Sequence, residues 1–162
     1  VSQLVYYGLL FALTQWTARD LSPLRAGLAF LPMTVPVALM PLLTGRLVVR
    51  FGARPVMLAG LGLDLLAGLL LVTGGTSPWV VVAVQLLVGT GSPLAIPACI
   101  ADVSAAVPLD LAATGQGALN AARQTGSALG VAVLGTLTTL PSAGLVLVAA
   151  ATLAIIAVRR LS

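Results

Sequence analysis

Four polar residues recur at helical spacing in one stretch of the chain. Gln116, Asn120, Arg123 and Ser127 stand at i, i+4, i+7 and i+11, which places them on one face of a helix. Ala118, Ala122, Gly126 and Gly130 repeat every four residues beside them, a small-residue stripe that lets a second helix backbone come close. A lone acid, Asp64, sits at the middle of another apolar run, and Gln85 is the one amide deep in a further run. Tyr7, Phe11 and Gln15 share a face of the first run. These groups can bind and carry charge, but they cannot make and break covalent bonds. With no His there is no Ser-His dyad, and four scattered aspartates form no pair. Cys99 is a single cysteine in an apolar run, so neither a disulfide framework nor a Cys/His metal cluster follows. Gly60-Leu61-Gly62 and Gly89-Thr90-Gly91 lack the Gly-Lys-Ser/Thr of a phosphate loop. An enzyme and an ATP-driven pump are both excluded for this chain, and no cofactor is expected.

The elements that hold these residues are set by composition. The chain is 59% hydrophobic and 7% charged, with mean hydropathy +1.13. A soluble domain carries about 25% charged residues, so water is the wrong solvent for this surface. All eight basic residues are arginines, spread singly between apolar runs. They make no basic patch and few aromatics accompany them, which argues against nucleic acid. The partner is the lipid bilayer. Crossing its core takes about 20 apolar residues, and cutting at charged or Pro/Gly/Ser-rich joints gives six segments, near 2–18, 26–45, 55–73, 79–99, 113–137 and 142–158. Their length and all-round apolarity specify helices, since barrel strands need only about 10 residues and alternate. The expected fold is all-α: a polytopic membrane protein with one six-helix domain over residues 1–162. The apolar first run begins at once, without the charged n-region of a signal peptide, and the chain reads as a fragment of something longer.

Charge sets the direction of threading. The second joint holds Arg46, Arg50 and Arg54, and the tail holds Arg159 and Arg160. With six spans, both lie on the side shared with the first residue. The other side has Arg19 and Arg25, partly offset by Asp20. Arginine excess marks the cytoplasm, so both termini are expected inside. The polar joint between Asp102 and Leu111 does not oppose this, because acids weigh little in the rule. Trp16 and Trp79 fall at outer ends of runs, where indoles anchor to the interface. Pro32, Pro36 and Pro41 in the second run and Gly89, Gly91, Pro93 and Pro97 in the fourth are expected to kink their helices, as hinges or as packing devices.

An arginine at the bilayer centre costs about 2.5 kcal/mol or more. If its helix starts near Gly115, Arg123 lies about 12 Å in at 1.5 Å per residue. It should therefore face a wet cavity or a partner, with snorkelling to the headgroups as the alternative. Asp64 is by default a functional candidate, as a proton carrier or as a hydrogen-bonded structural acid. Gln85 could face the same cavity as Arg123. The wall of Tyr7, Phe11 and Gln15 suits flat, greasy cargo, and equally suits lipid or packing.

Three stretches carry a family resemblance. Gly45-Arg46-Leu47-Val48-Val49-Arg50-Phe51-Gly52-Ala53-Arg54-Pro55 resembles the cytoplasmic loop signature of the major facilitator superfamily, G-x-L-a-D-R-x-G-r-[KR]. Gly45, Leu47, Arg50, Gly52 and Arg54 are in register, and Val49 stands where the signature has its acid. Ala26 to Thr34 is similar to the A-G-l-a-f-l-P segment of the fourteen-spanner drug:proton antiporters (EmrB/QacA type). Leu119 to Thr136 is similar to their l-n-t-a-R-Q-x-G-g-a-l-G-v-A-v-l-G-t stretch. The resemblance implies the C-terminal half of such a transporter, in the plasma membrane, exporting amphipathic or cationic molecules against proton entry by a rocker switch. It implies that Gly45, Arg46, Arg50, Gly52 and Arg54 form a gating loop, although Val49 removes the ion pair within the loop. A purely topological role for the arginines is the alternative. The partner would be an N-terminal half or a second copy. A non-transporting membrane remnant and a nutrient facilitator are the competing readings. A cysteine substituted near position 50 should be labelled by membrane-impermeant maleimide only after intact cells are opened. Labelling from outside would invert the topology.

Overall fold

The computed structural model describes residues 1–17, 22–74, 77–137 and 139–160. Arg19 and Asp20 of the first joint, and the side chain of Trp16, lie outside the described residues. Those residues form seven α-helices and one 3-10 turn: α1 Ser2–Thr17, α2 Pro23–Ala29, α3 Leu31–Phe51, α4 Ala53–Gly74, α5 Pro78–Ala106, the turn Leu109–Leu111, α6 Ala112–Gly135 and α7 Leu140–Arg160. Among them, α3, α4, α5 and α7 are long and apolar enough to cross a membrane. The 16-residue α1 and α6, whose polar stripe lowers its hydropathy, are not among these four.

The second expected span is two helices, α2 and α3. It breaks at Phe30, whose amide bonds back to the carbonyls of Gly27 and Leu28. Pro32 in the first turn of α3 has no N–H to give, so helix geometry lapses at Phe30 and resumes. Two expected joints are shorter than the sequence suggests. Residues 45–51 are helical, and only Gly52 turns the chain, at φ 88°. That conformation is open to glycine and strained for other residues. Gly45 is no turn: the apolar Leu47-Val48-Val49 carries the helix through it. Similarly α5 runs on to Ala106, so Asp102 is helical, and the joint after it is the short segment 107–111.

Small residues bring the helices together. A Cβ at Gly8 of α1 would stand 2.8 Å from the Gly130 carbonyl oxygen of α6. One at Gly91 of α5 would stand 2.7 Å from the Gly60 oxygen of α4, and one at Gly144 of α7 would stand 2.8 Å from the Gly68 oxygen. Thus α4 touches α5 through one glycine and α7 through another, while α3 lies against α5 where Gly89 meets the Met33 backbone. Two apolar cores result. One gathers Val5, Leu9 and Leu13 with Ala67, Leu71, Val84, Val88 and Leu147. The other gathers Val56, Met57 and Leu61 with Leu94, Ala95 and Ala98.

Prolines inside helices leave carbonyls without donors. Pro97 cannot bond the Pro93 oxygen one turn back, and the Thr44 hydroxyl of α3 lies 3.1 Å from that oxygen, fully buried. It also lies 2.9 Å from the Met40 oxygen of its own helix. The proline segment of α5 is thereby joined to α3. Thr44→Val keeps the shape and removes the donor; it is expected to cost about 1–3 kcal/mol, read as a lower midpoint in detergent-denaturant unfolding.

Candidate functional site

Polar side chains converge where α1 crosses α6. A cavity of about 60 Å³ is lined by Gln3, Tyr7, Asn120, Arg123, Gln124 and Ser127. The Gln3 amide takes its orientation from these neighbours. With its oxygen toward α6 it accepts from Arg123 Nε at 3.2 Å and Nη2 at 3.1 Å. Its nitrogen then points at Ser127 Oγ, 3.4 Å away, and Ser127 also donates to the Arg123 carbonyl at 3.1 Å. Among the described residues no carboxylate pairs with Arg123. A guanidinium held by a neutral amide keeps its charge available to an occupant of the cavity, and Tyr7 and Asn120 add groups that can donate or accept.

The structure brings together four of the sequence candidates, Tyr7, Asn120, Arg123 and Ser127, and separates others. Gln116 leaves the stripe and donates to Ser104 of α5 at 2.7 Å. Phe11 lies against Gly135 of α6, where an added Cβ would be 2.7 Å from its ring. Gln15 is exposed on the same face. Gln85 does not share the cavity. It is 1% exposed and its Oε1 has no hydrogen-bond partner, because the α5 face of Val81, Val84 and Val88 turns into the apolar core. The small stripe works at one end only. Gly126 and Gly130 lie against Gln3 and Leu4, whereas Ala118 and Ala122 lie further along α6, past the first turn of α1, and are exposed.

Gln3 was missed by sequence reasoning, and it lines all three cavities described here. Besides the polar one, a groove of about 340 Å³ extends over Met57, Leu61, Ala95 and Ala122. A recess of about 220 Å³ is bounded by Tyr6, Tyr7, Ser92 and Pro93. The signal was present: Gln3 is one step before Tyr7, Phe11 and Gln15 in the same four-residue series.

Asp64 lies outside the polar cavity, fully buried between α1, α4 and α5. Ser2 Oγ donates to its Oδ2 at 3.1 Å, and Ser92 Oγ donates to Oδ1 at 3.3 Å. The arginine stretch forms the end of α3 and the start of α4. Arg46 and Arg50 are exposed, and Arg50 stacks over Phe51 at 5.3 Å. Arg54 reaches across to Asp102 at the end of α5, 3.5 Å from Nε to Oδ1. The acid missing at Val49 thus has a counterpart from another helix. Trp79, in the first turn of α5, is 82% exposed, in keeping with an interfacial position. Both members of the Arg54–Asp102 pair are partly exposed, so a double-mutant cycle with Arg54→Ala and Asp102→Ala should give a coupling of only about 0.2–1 kcal/mol, measured by unfolding in detergent.

The sequence is similar to that of known proteins. The sequence profile described as Major Facilitator Superfamily matches residues 1–161. The multidrug resistance protein Stp of Mycobacterium tuberculosis is 37% identical over 132 residues, which is 80% of this chain and 25% of that protein. The methyl viologen resistance protein SmvA of Salmonella typhimurium is 32% identical over 136 residues, 83% of this chain and 28% of that one. The methylenomycin A resistance protein of Streptomyces coelicolor is 32% identical over 123 residues, covering 73% and 25%. The chain spans about a quarter of the length of the curated relatives it matches.

Proposed function

The chain belongs to the major facilitator superfamily, and from that premise we propose that it is the C-terminal, six-span half of a proton-coupled exporter of amphipathic or cationic compounds. As a member of that family it is a multi-pass membrane protein of a transporter class, not an enzyme. Transporters of this kind need no resident cofactor. The finer reading is supported by relatives named for resistance to drugs, methyl viologen and methylenomycin A. In this reading α1, the α2–α3 pair, α4, α5, α6 and α7 are the six spans, both ends are cytoplasmic and the membrane is the plasma membrane.

The observation that carries the proposal is the half-buried Arg123, held by Gln3 and facing a polar cavity with Tyr7 and Asn120. A helix bundle built only for packing gains nothing from a charged group turned into a cavity between two of its helices. In our reading this wall and the face of Phe11 and Gln15 form one side of the transport path, and the N-terminal half supplies the other. Gly45, Arg46, Arg50, Gly52 and Arg54 act at the cytoplasmic end. Arg54 holds α4 to α5 through Asp102 in one state and releases it in the other. The alternative is a non-transporting membrane remnant or packing partner. Expressed together with an N-terminal half in an efflux-deficient strain, the chain should lower drug sensitivity. Arg123→Ala should return sensitivity to that of the empty strain at equal membrane abundance. If sensitivity never changes, export loses its support and the remnant reading stands.

A further inference from the structure

We propose that Asp64, Ser2 and Ser92 form a buried site for one coupling cation, a proton or a sodium ion, at the junction of α1, α4 and α5. The inference rests on the transporter reading and adds the place where the coupling charge is held.

The geometry is that of a small oxygen cage. Ser2 Oγ lies 3.1 Å from Asp64 Oδ2. Ser92 Oγ lies 3.3 Å and 3.5 Å from Oδ1 and Oδ2, and 3.4 Å from the Ser2 carbonyl oxygen. One carboxylate, two hydroxyls and a main-chain carbonyl thus converge from three helices, with no nitrogen among them. The space is kept by glycine, since a Cβ at Gly91 would stand 2.9 Å from Asp64 Oδ1.

Charge balance calls for a cation. Asp64 is fully buried, and burying a carboxylate without a counter-charge is costly enough that it takes one up. Among the described residues no basic side chain forms an ion pair with it. On the surrounding elements, Arg54 and Asp102 pair with each other at the ends of α4 and α5. Arg123 of α6 is turned to Gln3, Arg46 and Arg50 of α3 are exposed, and Arg159 and Arg160 lie in the last turn of α7. Two polar hydroxyls alone solvate the carboxyl, and one positive charge completes the site.

Access and consequence follow from the same residues. Ser2 lines the 340 Å³ groove and Ser92 lines the 220 Å³ recess. The carboxyl is therefore one hydroxyl removed from each of two separate voids. Ser2 belongs to α1, which is packed on α6, whereas Asp64 and Ser92 belong to the glycine-joined pair α4 and α5. A cation on Asp64 changes what holds α1 to that pair.

The test is infrared spectroscopy of the chain in lipid vesicles, following the carbonyl stretch of a protonated carboxyl as pH is raised. The expected result is a band that is lost in Asp64→Asn, vanishes with rising pH, and has its midpoint moved by Ser92→Ala. If sodium is the ion, adding sodium chloride at fixed pH removes the band while potassium chloride does not. If the proton is the ion, neither salt matters. A carboxyl that shows no such band and no sodium response at any pH overturns the proposal. Export assays on the chain with an N-terminal half separate the two readings. Gradient-driven export that survives Asp64→Asn sinks this site but leaves the transporter intact. Absence of export in the unsubstituted protein sinks the transporter reading, and the spectroscopy still decides the site.

Discussion

Lipid gives apolar helices no reason to leave it for one another, so this bundle depends on how closely its backbones can approach. The chain meets that constraint with glycine at each main crossing: Gly8 on Gly130, Gly60 on Gly91, Gly68 on Gly144. At each, one helix's glycine lies against the partner's glycine or its carbonyl, and dispersion across the tight contact replaces the hydrophobic effect as the source of cohesion. The polar residues then find their places as a consequence. Gln3 reaches Arg123 because α1 and α6 are close at Gly130, and Asp64 reaches Ser92 because α4 and α5 are close at Gly60 and Gly91.

The second demand of the bilayer is that no main-chain group be left bare. The prolines of α5 would violate it, and the Thr44 hydroxyl beside the Pro93 oxygen answers the violation. The same helix shows a second polar feature, the seam at Ser92. Along α4 and α5 the two apolar cores stop on either side of Asp64 and Ser92, so the polar residues lie between two oily halves of the bundle.

Much of this was legible in the sequence because bilayer thickness fixes helix length and arginines rarely sit in lipid without cause. The segments near 55–73, 113–137 and 142–158 lie within the observed α4, α6 and α7 to within two residues. Boundaries were harder where composition and helix geometry disagree. Polar residues at 45–54 and at Asp102 look like loop, yet a helix extends past the hydrocarbon into the headgroups, where charge is welcome. The site was half legible. The stripe of Asn120, Arg123 and Ser127 follows from periodicity, but its partner Gln3 depends on which helix docks there. Gln85 shows the opposite limit, because a lone amide in an apolar run gives no clue to its direction.

The corner at Gly52 constrains how the bundle can rearrange. A single residue with positive φ, its amide bonded to the Val48 oxygen, joins α3 to α4, so their ends at that face stay within a few ångströms of each other. Any change in the angle between these two helices must therefore open at the opposite face, in the manner of tongs held at the rivet. The arginines flanking that rivet stay with the corner, whatever angle the two helices take.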